Sequence, residues 1–203
     1  MSNFLFNGPE NADCTVILAH GAGAGMDHEF MEFVAIGLAE RGLRVVRFEF
    51  PYMAQRRATG NRRPPDRLPV LRETWLSAIE SVDAQRLVIG GKSMGGRIAS
   101  LIADEATVDG LVCLGYPFHP SGKPEQVRTE HLASLRTPTL ILQGERDALG
   151  NRDEVSGYTL SEQIKLHWLT DGDHGFKPRK ASGKTAEENL REAVDAVAAF
   201  ANC

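Results

Sequence analysis

Residues 87–95 read Leu87-Val88-Ile89-Gly90-Gly91-Lys92-Ser93-Met94-Gly95. An apolar run ends in paired glycines, and a serine follows with glycine two residues away on either side. Two patterns overlap here. Gly91-Lys92-Ser93 ends like a phosphate-binding loop, but Arg86 stands where that motif needs its first glycine, and the intervening residues form an apolar strand with no loop to wrap a phosphate. Gly91-Lys92-Ser93-Met94-Gly95 also matches G-x-S-x-G between a strand and a helix. A serine thrust out on a sharp strand-to-helix turn has strained backbone geometry, and side chains two residues before and after it would collide, so glycine belongs at both places. Gly96 and Ala99 let the following helix approach closely.

Outward from this junction, short apolar runs alternate with longer segments of helical period, the signature of a parallel sheet covered by helices on both faces. The strands are expected at Thr15–Ala19, Leu43–Phe50, Arg86–Gly90, Gly110–Leu114, Thr139–Gln143 and Ile164–Leu169, with Phe4–Phe6 as a further edge strand. Helices are expected at His28–Arg41, Val70–Val82, Met94–Asp104, Asp153–Leu160 and Thr185–Ala201. The last opens with a capping-box pattern, Thr185 and Glu188, before Leu190, Ala193, Val194, Val197 and Phe200 recur at helical spacing. Gln55–Arg67 and Phe118–Arg128 read as loops. The expected fold is α/β: a doubly wound, mostly parallel sheet of about six or seven strands, in a single domain over residues 1–203.

In such sheets ligands bind beyond the carboxyl ends of the strands. A serine nucleophile needs a base, and the base needs an acid to fix its tautomer. Asp147 follows Thr139–Gln143 in LQGERD, with Glu145 as the alternative acid. His174 follows Ile164–Leu169 in LTDGDHGF. It is preferred over His20, His28, His119, His131 and His167, which do not combine a late post-strand position with a following glycine. Asp171 and Asp173 form a D-x-D pattern without a calcium loop, so turn formation explains them better. The junction His20–Gly25, HGAGAG, lacks the third glycine of a dinucleotide fingerprint, because Met26 takes its place. It can instead form a tight turn, or supply an oxyanion donor from Ala22 or Gly23 to act beside the N–H of Met94.

With HGAGAG, GKSMG, LQGERD and GDHGF in this order, the chain resembles the α/β-hydrolase superfamily from about Thr15 to its end. It looks most like the small, lidless members near the dienelactone-hydrolase-like proteins. That resemblance implies hydrolysis of a carboxylic ester or thioester through an acyl-enzyme, with no metal or cofactor. The nucleophile position holds Ser93 rather than cysteine, so dienelactone hydrolysis itself is not implied. Related proteins also look to serve as subunits of larger complexes, so a non-catalytic binding or scaffold domain is the second reading.

The 203 residues carry a net charge of −4, with 42% hydrophobic and 25% charged residues. Such a composition suits a globular domain and argues against a nucleic-acid coat. No run reaches the roughly 18 apolar residues of a membrane span. The N-terminus has no signal-peptide pattern, so a cytoplasmic location is expected. Cys14, Cys113 and Cys203 are widely spaced, as expected of free thiols rather than a disulfide framework or zinc site. The modest total charge hides local excess: +5 over Tyr52–Arg72, +4 over His174–Thr185 and −13 elsewhere. Both basic segments follow strand ends. They form either an ordinary solvated surface or a basic mouth favouring an anionic small-molecule acyl ester. Only about two dozen residues separate Leu114 from Thr139, so an open site without a lid is expected.

Overall fold

In the computed structural model, which describes residues 4–202, the strand Cys14–Ala19 divides its side chains between two cores. Val16 and Leu18 enter one, and Ile17 and Ala19 enter the other. That is the period-two alternation of a strand buried on both faces. In chain order the strands are Phe4–Asn7 (β1), Cys14–Ala19 (β2), Arg44–Phe48 (β3), Arg86–Lys92 (β4), Gly110–Leu114 (β5), Thr139–Gly144 (β6) and Ile164–Leu169 (β7). They form one sheet in the order β1-β3-β2-β4-β5-β6-β7. Edge strand β1 runs antiparallel to β3, and all other pairings are parallel.

The helices are Glu29–Glu40 (α1), Pro51–Thr59 (α2), Leu68–Glu80 (α3), Met94–Ser100 (α4), Arg152–Val155 (α5) and Ala186–Ala201 (α6). Met31, Val34 and Leu38 of α1 join Ala193, Val194 and Val197 of α6 over one face of the sheet. Leu71 and Trp75 of α3 and Ile98 and Ala99 of α4 cover the other. Trp75 is fully buried against Phe48, and its indole N–H donates to the Gly95 carbonyl at 3.3 Å. Side-chain burial of this size contributes about 3 kcal/mol, so α3 helps anchor the turn that carries Ser93. At α6 the capping box between Thr185 and Glu188 is present.

Several boundaries differ from the sequence expectation. Residues Gln55–Thr59, expected in a loop, complete α2. Pro51 at its first turn presets the helical φ, buried Tyr52 and Met53 anchor it, and Gly60 ends it in a left-handed conformation. The expected helix to Asp104 ends as regular α-helix at Ser100, because Leu101 and Ile102 donate only three residues back, to Ile98 and Ala99. Likewise α5 is one short turn with an Asn151–Glu154 capping box, not a helix to Leu160. The connection from β5 to β6 holds one 3₁₀ turn, Glu130–Ser134, and no cap domain. Cys14 and Cys113 are buried free thiols, whereas Cys203 lies outside the described residues. Among the described residues no helix is long and apolar enough to cross a membrane.

Candidate active site

The turn between β4 and α4 holds Ser93 at φ 51° and ψ −114°, a conformation that non-glycine residues adopt only when their surroundings impose it. Those surroundings are the neighbouring strands. A Cβ on Gly91 would collide with the Ala19 carbonyl, and one on Gly95 with the carbonyls of Ala19 and His20. The two glycines therefore let the turn lie directly against the end of β2. Ser93 is held from the other side as well, since its N–H donates to the Leu114 carbonyl at 3.0 Å.

Three separate strand ends then converge. His174, beyond β7, places Nε2 2.9 Å from the Ser93 hydroxyl oxygen and Nδ1 2.7 Å from Oδ2 of Asp147, beyond β6. Asp147 is fully buried. It also accepts from Gln143 Nε2 at 2.9 Å and from the Leu149 N–H at 2.8 Å. A carboxylate only accepts, so Nδ1 carries the imidazole proton, which leaves Nε2 free to accept from the serine. Glu145 is turned elsewhere, bonding Arg152 at 2.6 Å and the Asp171 N–H at 2.9 Å. The D-x-D pair is used in folding. Asp171 pairs with Arg179 and Arg146, and Asp173 accepts from the N–H groups of Gly175 and Lys177.

The sequence reading gave Lys92 no role, yet its Nζ donates to the His174 carbonyl at 2.5 Å and lies over the rings of Phe30 and Phe176. Burial pulls its pKa down to about 8. Because an unfolded lysine titrates near 10.5, the unfolded chain binds more protons than the folded one between these values, so stability should rise with pH across that interval. In Lys92→Met this rise is expected to vanish. The variant should keep its stability below pH 8, because it removes a buried charge and keeps the volume. It should also lose about tenfold in kcat as the loop carrying His174 loosens, a size expected of a group that acts only through positioning. Urea unfolding from pH 7 to 10, with steady-state rates, checks both. A variant with an unaltered pH dependence excludes the buried-charge account.

The first junction is tied to α2. His20 accepts from the Phe50 N–H at 3.1 Å through Nε2 and donates through Nδ1 to the Gly21 carbonyl at 2.7 Å. Burial lowers its pKa and favours the neutral ring. Tyr52 donates to the Gly21 and Ala22 carbonyls, and Arg56 donates to the Gly23 carbonyl. Ala22 lines the same cleft as Ser93 and Met94, whereas Gly23 lines a neighbouring cavity with Arg56 and Arg57. As the first residue of α4, Met94 has no intrahelical acceptor for its N–H.

That cleft encloses about 480 Å³ between apolar Leu68, Leu71, Ile98 and Leu149 and the cations Arg97 and Arg128. A second, of about 740 Å³, lies beyond His174 against Phe30, Phe33 and Leu190. The sequence reading assigned none of these wall residues. Only Arg97 had a local signal, since it lies four residues after Ser93 and hence on the same face of the helix. Half of the cations in the two basic segments are neutralised: Arg57, Arg63, Arg72, Arg179 and Lys184 each pair with a carboxylate.

A mostly parallel sheet, with a strained serine beyond one strand and a histidine and buried aspartate beyond later ones, defines an α/β-hydrolase without a lid. A family model described as an alpha/beta hydrolase domain matches residues 12–202, and the chain belongs to that family. It is similar to the esterase EstD of Thermotoga maritima, with 27% identity over 133 residues, covering 59% of this chain and 31% of that protein. The chain thus spans about a third of the length of that curated relative. In fold it is similar to an α/β serine hydrolase without lid from Xanthomonas campestris, at 22% identity and TM-score 0.71, covering 96% of this chain and 87% of that one. Dienelactone hydrolase from Anabaena variabilis is likewise similar in fold, at 20% identity and TM-score 0.72, covering 97% of this chain and 88% of that one.

Proposed function

We propose that the chain is a serine hydrolase that cleaves a carboxylic ester or thioester through an acyl-enzyme, acting as one catalytic domain. The observation that carries this reading is the continuous relay from Ser93 through His174 to buried Asp147. His174 takes the Ser93 proton as the oxygen attacks the acyl carbonyl, and Asp147 stabilises the imidazolium that forms. The tetrahedral oxyanion is received by the N–H groups of Met94 and Ala22. Ala22 is preferred over Gly23 because it shares the cleft with the serine. The alcohol or thiol leaves with the proton from His174, and water repeats the sequence to release the acid. No step calls on a metal or cofactor. The substrate is a small acyl compound with an anionic group, for which the unpaired arginines of the cleft are the support.

A fluorophosphonate probe tests the reading most directly. Mass spectrometry of the labelled protein is expected to find the adduct on Ser93 and none in Ser93→Ala. Folded wild-type protein that takes no label would return the chain to the binding-domain reading.

A further inference from the structure

We infer that Arg97 and Arg128 form a carboxylate-binding subsite in the acyl cleft, and that the enzyme prefers acyl groups ending in a carboxylate a few methylenes from the scissile carbonyl. The inference rests on the serine-hydrolase reading for its chemistry, but the subsite stands on its own geometry. Both arginines line the cleft that contains Ser93. Neither has a carboxylate partner among the described residues, and the buried Nε of Arg97 has no hydrogen-bond partner at all. The single acid on that wall, Asp66, is already committed to the Tyr52 N–H and to Arg63.

Two unneutralised guanidinium groups sharing one cleft are costly. Desolvation first, and then the charge of Arg97, hold Arg128 below the ordinary arginine pKa. A bound anion would relieve both effects, and the planar guanidinium fork matches a carboxylate in two-point contact. Among the described residues, no uncommitted carboxylate lines the cleft to supply that anion. His131, bonded to Ser100 beside Arg97, adds no further positive charge, because burial and the charge of Arg97 lower its pKa to about 4 and keep the ring neutral.

The main chain that carries both arginines is held in advance. The Arg128 N–H donates to the Phe118 carbonyl at 2.7 Å, and the Arg128 carbonyl accepts from the buried Tyr116 hydroxyl at 2.9 Å. Arg97 is fixed by its N–H bond to the Ser93 carbonyl at 3.0 Å. Residues four apart on a helix rise about 6 Å, and helical side chains lean toward the N-terminus, so Arg97 leans toward the serine across a gap that a few methylenes span. Leu71 and Ile98 give those methylenes an apolar wall. The leaving group must depart beside His174, which faces the other cleft, so the arginine cleft takes the acyl portion. The reaction is ordinary acyl transfer. The bond from Ser93 oxygen to acyl carbon forms as the ester C–O bond breaks, the serine proton passes through His174 to the alcohol, and water releases the dicarboxylate.

Two measurements test this. The first compares kcat/KM for p-nitrophenyl hemiglutarate with that for its methyl-capped ester in the wild type, Arg97→Gln and Arg128→Gln. The wild type is expected to favour the anion about tenfold at low ionic strength, with the ratio shrinking as salt rises, and each variant should bring the ratio down about tenfold. Because the ratio is internal to each protein, partial misfolding cancels. The second is calorimetric titration of Ser93→Ala with monomethyl glutarate and dimethyl glutarate, where the anion should bind about tenfold more tightly and lose that advantage in the arginine variants. Equal affinities, or a preference that survives both arginine substitutions, overturn the subsite. A preference seen by calorimetry without turnover of either ester keeps the subsite and removes the hydrolase reading.

Discussion

Replacing Asp147 with asparagine is expected to lower kcat about 10⁴-fold with little change in KM, the loss that follows when a catalytic histidine is held in the wrong tautomer. Oδ2 of Asp147 accepts from both His174 Nδ1 and Gln143 Nε2, and Oδ1 accepts from the Leu149 N–H. An asparagine has one accepting atom for these two sides. If its amide nitrogen faces His174, it donates to Nδ1 and moves the ring proton to Nε2, where it points at the Ser93 oxygen that must be deprotonated. The same nitrogen then also meets the Gln143 donor. Turned the other way, it meets the Leu149 N–H. In either orientation one buried donor loses its acceptor, at a cost of about 1–3 kcal/mol. The protein should therefore fold with reduced stability but lose nearly all turnover. Glu145→Gln is the control, since Glu145 bonds Arg152 and the Asp171 backbone instead, and its kcat should change less than about threefold, within the range of an exposed surface pair. If Asp147→Asn stays within tenfold of the wild type, the relay is not the catalytic machinery.

What made this site legible in the sequence was its reliance on backbone geometry and strand order. Glycine at 91 and 95 is required because the turn touches the end of β2, and such a requirement writes itself into a local pattern. Asp147 and His174 were found by the same logic, because each had to follow an apolar run. The walls of the cleft beside Ser93 were not legible. Leu68, Ile98, Arg128 and Leu149 come from four separate segments whose approach depends on how α3, α4 and two loops settle on the sheet. Net local charge left two readings open for a related reason: Arg57 and Arg72 count as basic in sequence but meet Asp27, Glu49 and Glu105, all outside the basic run. Arg97 and Arg128 stood outside the basic runs, yet they line the cleft with Ser93 and have no carboxylate partner among the described residues. Helix α2 was missed because its polar residues obscure the anchoring of buried Tyr52 and Met53 at its first turn.

Gly91→Ala is expected to be among the most damaging single methyl additions in the protein. Gly91 pairs with Ala19 between the two central parallel strands, and its added Cβ would run into the Ala19 carbonyl, which is backbone and cannot rotate away. Its φ of 154° is strained for any L side chain. Relief requires β2 and β4 to part at their carboxyl ends, which would move the His20–Gly25 loop and Ser93 together. Overpacking a rigid site costs about 1–3 kcal/mol and backbone strain a similar amount, so a loss of about 4 kcal/mol is expected against a total stability of about 5–15 kcal/mol. Soluble yield should fall sharply, and the urea midpoint of any folded fraction should drop. Gly23→Ala provides the contrast, since a Cβ there meets nothing within 4 Å, and it should change stability by less than about 1 kcal/mol. Surviving Gly91→Ala protein should also react with a fluorophosphonate far more slowly, because the serine would no longer be presented to His174. A Gly91→Ala variant as stable as Gly23→Ala would mean that the strands can separate freely, and that something other than their contact holds Ser93 in its strained conformation.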